Sequence, residues 1–113
     1  MREDGKIDYV EFPGGDLPAV KGFYEEAFGW RFVDYGPEYA AFEEAGLDGG
    51  FHASPEASPQ PLVILFTHDL EAMEARVKAA GGVVVQPIFS FPGGRRFHFR
   101  DPAGNVLGVF SET

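Results

Sequence analysis

The chain has 113 residues, 44% of them hydrophobic and 15% aromatic, enough to bury one core and too much for a disordered tail. A formal charge of −9, with a pI near 4.6, repels phosphate backbones and anionic lipid, so neither nucleic acid nor a membrane is an expected partner. No cysteine is present, which excludes disulfides, thiol nucleophiles and cysteine-held metals and leaves His52, His68 and His98, with Asp and Glu, as the side chains able to hold a metal. No apolar run reaches the roughly 20 residues of a membrane span, and the charged first twelve positions carry no signal region, so a cytoplasmic location is expected.

In chain order, residues 7–12 alternate as a strand, with Val10 and Phe12 on one face and Ile7, Tyr9 and Glu11 on the other. Pro13-Gly14-Gly15 ends it. Asp16 is a helix N-cap with Pro18 in the first turn, Leu17, Val20, Phe23, Tyr24, Ala27 and Phe28 recur at helical spacing, and Gly29 stops the helix. Strands are expected at about 30–35, 38–43 and 48–53. The three prolines of residues 54–61 form a linker. A second strand, 62–67, leads to a helix capped by Asp69 and carrying Leu70, Met73, Val77 and Ala80. Gly81-Gly82 ends that helix, a strand starts at Val83, and strands at about 95–100 and 106–111 complete the chain.

The two halves repeat one another. Asp16-Leu17-Pro18-Ala19 aligns with Asp69-Leu70-Glu71-Ala72, and Gly29 with Gly82, each thirteen residues after its Asp. Ala45-Gly46 aligns with Ala103-Gly104, which matches Gly50 to Gly108 and His52 to Phe110. The expected architecture is therefore α+β: two β-α-β-β-β modules in tandem, at about 5–53 and 62–113, joined by the 54–61 linker within a single domain.

The motifs Glu11-Phe12-Pro13 with Asp16, Phe23-Tyr24 with Phe28-Gly29-Trp30, Ala80-Gly81-Gly82 and Phe99-Arg100-Asp101-Pro102-Ala103-Gly104-Asn105 span nearly the whole chain. In this order and spacing the sequence resembles the glyoxalase/bleomycin-resistance/extradiol-dioxygenase group, the vicinal oxygen chelate superfamily, and within it small proteins related to lactoylglutathione lyase. The resemblance implies a curved mixed sheet around a cleft between the modules, a helix behind each sheet, and a homodimer. Asp101-Pro102-Ala103-Gly104-Asn105 is, on its own chemistry, a tight turn between two strands.

Metal-dependent relatives place one His, Glu or Gln on the first and last strand of each module. Carried over residue by residue, those positions fall on Tyr9, Val63, Gly50 and Gly108. None holds a divalent ion, so no metal and no cofactor is expected. By the same parity Glu11, His52, Arg96 and His98 are the polar groups of the cleft, and Tyr9, Val63 and Phe110 its apolar wall, in the form usual for a small-molecule site.

Three readings stay open. Glu11, Arg96 and the histidines supply pocket polarity alone; His98 is a general base oriented by Glu11; or Glu11, His52 and His98 form a relocated two-histidine, one-carboxylate metal site. The functional expectation is a protein that binds a small organic ligand in the cleft, in the bleomycin-resistance manner. A glyoxalase-type lyase or isomerase is the alternative.

Overall fold

The computed structural model describes residues 2–55 and 59–113. The middle of the expected linker, 56–58, lies outside the described residues. Two strand–helix–strand–strand–strand runs follow one another. The first is β1 (Ile7–Pro13), α1 (Leu17–Phe28), β2 (Arg31–Asp34), β3 (Tyr39–Glu43) and β4 (Gly49–His52). The second is β5 (Leu62–Phe66), α2 (Leu70–Ala79), β6 (Val83–Phe91), β7 (Gly94–Arg100) and β8 (Val106–Ser111). The fold is α+β with mixed sheets, as the repeat implies. Among the described residues no helix is long and apolar enough to cross a membrane.

The chain divides into two compact units, Tyr9–Leu62 and Met1–Asp8 with Val63–Thr113. In the first, the strand order is β2-β3-β4-β1, antiparallel except where β1 runs parallel to β4. Asp16 caps α1 by accepting from Ala19 N–H at 3.2 Å, and Gly29 ends it at φ 74°. Leu17, Ala40, Phe42 and Phe51 form the core between helix and sheet, with Phe12, Val20, Tyr24 and Trp30 packed on it. Trp30 stacks on Tyr24, ring centroids 4.6 Å apart. Phe23 and Phe28, on the same helical repeat, stand outside this core, 58% and 63% exposed.

The second unit repeats the plan as β5-β8-β7-β6, with β5 parallel to β8. Residues 5–8, placed by the sequence with the first module, join this unit, and Gly5 N–H donates to Phe66 O at 2.7 Å. Asp69 caps α2 through Ala72 N–H at 3.1 Å, and Leu70, Met73 and Val77 pack on Phe97 and Val109. Ala80, expected within the helix, is its exposed cap, and Gly81 (φ 101°) follows as the left-handed residue of the Gly81-Gly82 stop. The turn before β8 is as the sequence implies. Asp101 Oδ1 accepts from Ala103 N–H (2.8 Å) and Asn105 N–H (2.9 Å), with Gly104 at φ 91°.

Candidate functional site

In the first unit the sheet face opposite α1 carries a polar cluster. Strand alternation puts Phe12 and Phe51 toward the helix, so Glu11, Gly50 and His52 face away. The β3–β4 register sets Tyr39 opposite His52 and Ala41 opposite Gly50. A Cβ built on Gly50 would lie 2.6 Å from Tyr39 Cε1 and 2.7 Å from its hydroxyl oxygen, so only glycine lets this ring settle over β4.

There the Tyr39 hydroxyl donates to Glu11 Oε2 at 3.1 Å. It lies 2.6 Å from the Tyr9 hydroxyl, which must then be the donor of that pair, because the Tyr39 proton is committed to Glu11. Glu11 is buried, 7% exposed, and its other oxygen, Oε1, lies 3.9 Å from His52 Nδ1. Burial holds the Tyr39 phenol far above its ordinary ionisation range, and the Glu11 charge and the Tyr9 contact add to this. Burial also raises Tyr9, assisted by the charges of Glu11 and Asp48 and opposed by its hydrogen bond to Tyr39.

In the second unit Arg96 pairs across strands with Phe110 and His98 with Gly108, so all four share a face. The Arg96 guanidinium carbon lies 5.3 Å from the Phe89 ring centroid and 5.0 Å from that of Phe91. Phe89 meets His98 edge-on at 5.5 Å, and Phe66 meets Phe110 at 5.4 Å. The Arg2 guanidinium carbon lies 5.5 Å from the Phe110 ring centroid, and Arg2 is tied to Asp8 at 3.0 Å.

Val63 is a correction. Ile64 pairs with Gly108 and Phe66 with Phe110, so Ile64 and Phe66 share the Arg96–His98 face. Val63 has the parity of Leu65, which packs on the α2-side core of Phe97 and Val109. Glu11 opposite Gly50 corresponds to Ile64 opposite Gly108, so the residue matching Tyr9 is Leu62. The metal positions become Tyr9, Leu62, Gly50 and Gly108, and these residues do not fit a divalent ion. Tyr9 is held protonated, leucine offers no donor atom, and Tyr39 fills the space beside Gly50. A Cβ at Gly108 would already sit 3.3 Å from His98 Cδ2. Among the described residues no three of His, Asp and Glu are grouped to hold a metal.

The structure thus brings Glu11 to His52, and Arg96 to His98 and Phe110. Glu11 with Tyr9 and His52 belongs to one unit, and Arg96, His98 and Phe110 belong to the other. Tyr39, Phe89 and Phe91 are participants that the sequence reading missed. Phe89-Ser90-Phe91 shows period-two alternation that could have marked the last two. Tyr39 carries no local signal, because its place depends on the hairpin register. A surface cavity of about 390 Å³ beside the start of α2, lined by residues that include Asp4, His68, Met73 and Arg76, contains none of these side chains.

Solved structures share the fold. A structure described as NAD-dependent benzaldehyde dehydrogenase from Legionella pneumophila is 19% identical, with TM-score 0.75, covering 91% of this chain and 96% of that one. Methylmalonyl-CoA epimerase from Mycobacterium tuberculosis is 15% identical, with TM-score 0.72, covering 98% and 90%. The Mn(II)-bound glyoxalase from Novosphingobium aromaticivorans is 25% identical, with TM-score 0.68, over 99% of this chain and 40% of that one. No curated protein is matched by the sequence. The family model of the Glyoxalase/Bleomycin resistance protein/Dioxygenase superfamily matches residues 6–109, and the chain belongs to that superfamily.

Proposed function

We propose that this chain binds a small organic molecule without the family's metal, as a cytoplasmic homodimer. The carrying observation is Glu11. A carboxylate buried to 7% exposure has to be matched by polar partners, and the sheet face opposite α1 gathers the Tyr39 hydroxyl and the His52 ring around this one. Nothing in the packing of α1 on its sheet calls for a charge on the opposite face. A buried acid, two phenols and an imidazole on one sheet face of the first unit are the kind of convergent polar groups that a ligand site uses.

The first test measures bound metal after loading with iron(II), zinc, nickel and manganese, alongside a thermal-shift screen of small aromatic compounds. The expected result is no stoichiometric metal, together with hits whose shift is lost in Glu11→Gln. Near-stoichiometric metal lost in Glu11→Ala, or a screen without hits, overturns the reading.

A second reading has one observation behind it: Glu11 Oε1 and His52 Nδ1 sit 3.9 Å apart, a spacing that suits proton transfer through a bound group. In this reading His52 replaces His98 as the partner of Glu11, and the activity is a metal-free isomerase or lyase. Turnover of any hit that disappears in His52→Ala supports it.

A further inference from the structure

We propose that the outer face of α1 is a docking surface for a basic amphipathic segment of another protein. It lies across the sheet from the Glu11 cluster and stands independently of the ligand reading. Phe23 and Phe28 are 58% and 63% exposed on a helix whose Leu17, Val20 and Tyr24 pack inward. Phe23 meets Tyr24 edge-on at 5.0 Å and Phe28 at 6.2 Å, and Phe28 lies 6.2 Å from Trp30, which stacks on Tyr24. The rings form one continuous aromatic surface seated on the core. The fold does not ask for it. Counted from the capping Asp of each module, Phe23 corresponds to Arg76, and α2 meets solvent with a charge there.

The charge around the rings points to the occupant. Between Tyr9 and Leu62 the sequence holds ten acids and two bases, whereas the rest of the chain holds eight and seven. Both bases are already engaged, Lys21 with Asp34 at 2.8 Å and Arg31 with Glu44 at 2.8 Å. Glu25 and Glu26 are exposed, and helical spacing puts Glu26 beside Phe23 and Glu25 beside Phe28. They sit at the carboxyl end of α1, where the helix dipole is already negative, and no base lies in that last turn. In α2 the last turn carries Arg76 and Lys78. A cation supplied from outside relieves this repulsion. A second copy cannot supply it, because it would bring the same acidic surface to the contact. Two rings at this exposure offer roughly 200–300 Å², well short of the about 800 Å² per side of a stable complex, so the contact is weak and needs its charges. A helix with leucine-like side chains on one face and Lys or Arg along its edges meets both requirements.

The test titrates the whole protein with an amphipathic peptide of leucine and lysine only, about 18 residues long, by calorimetry and by fluorescence. Trp30 is the chain's single tryptophan, so its emission reports on this face with no signal from the peptide. Saturable binding with a Kd of about 1–100 μM is expected, and the same peptide with glutamate in place of lysine should bind at least about tenfold more weakly. Phe23→Arg, which matches α2 at the equivalent position, is expected to weaken the lysine peptide at least about tenfold. Phe28→Ser acts in the same direction and decides the matter if Phe23→Arg does not fold. Glu25→Gln with Glu26→Gln weakens binding and flattens its salt dependence, while Glu38→Gln with Glu43→Gln, outside α1, changes affinity less than about twofold. No binding, equal binding of the two peptides, no effect of either phenylalanine variant, or equal losses from the two pairs of acid variants overturns the proposal. Self-association that Phe23→Arg abolishes, seen by sedimentation, makes a second copy the occupant and overturns it as well.

Discussion

Gly50 and Tyr39 show how one missing side chain sets the chemistry of a face. Glycine at 50 admits a phenol ring over β4, and the ring carries its hydroxyl to Glu11. The cost falls on the tyrosines, since a phenolate beside a buried carboxylate is doubly disfavoured. Tyr9 and Tyr39 therefore ionise above the ordinary tyrosine value of about 10. Neutral phenols favoured in the folded state contribute stability that is present below that value and is lost as pH rises through the raised one. In an alkaline titration followed by tyrosinate absorbance, part of the signal is expected to appear only as the protein unfolds. Glu11→Gln removes the charge behind part of the shift and should bring that late component to lower pH. A titration in which every tyrosine ionises together near the ordinary value would contradict this account of the cluster.

Among the elements, the helices and turns were legible in the sequence because their signals are local. Asp16 and Asp69 each place a carboxylate where the first free N–H groups of a helix lie, and Asp101 to Asn105 close a turn on themselves. Strand facing was legible only where polar and apolar residues alternate. Tyr9-Val10-Glu11-Phe12 alternates and shows its faces. Leu62-Val63-Ile64-Leu65-Phe66 is apolar throughout, so its register had to be counted from the next helix, and a one-residue miscount moved Val63 onto the wrong side. Tyr39 was hidden for a different reason: only the β3–β4 pairing brings it over Gly50. Gly49 is the tightest of the hairpin's glycines: a Cβ there would run into the Phe42 ring and the Val10 carbonyl of β1. Gly49→Ala is expected to destabilise the protein by about 1–3 kcal/mol in denaturant titration, through overpacking alone, since Gly49 is not among the left-handed glycines. A neutral result would mean that β1 and β4 are farther apart than the register implies.

At the scale of the molecule, the 18 acidic residues divide by what holds them. Most decorate the surface and give solubility through a net charge of −9. A few are built into the backbone's own connections. Asp101 accepts from Asn105 and Ala103 N–H groups, and Asp4 accepts from His68 N–H and the Thr67 hydroxyl, both at 2.8 Å. These bonds favour the ionised forms and lower both carboxyls below their ordinary value, with the backbone N–H of Asn105 the largest influence on Asp101 and that of His68 on Asp4. The sign follows from linkage. A carboxyl lowered in the folded state contributes stability that is fully present above the unfolded value of about 3.9 and is lost as pH falls through the native value. Thermal stability should therefore decline below about pH 4, on the acid side of the pI near 4.6. Asp101→Asn keeps a side-chain oxygen for the turn and removes the titrating charge. It is expected to be less stable than the parent at pH 7 and to lose less on acidification, so that the two melting curves converge as the pH falls. Parallel curves would place the acid sensitivity elsewhere, in the surface carboxylates that the turn does not use.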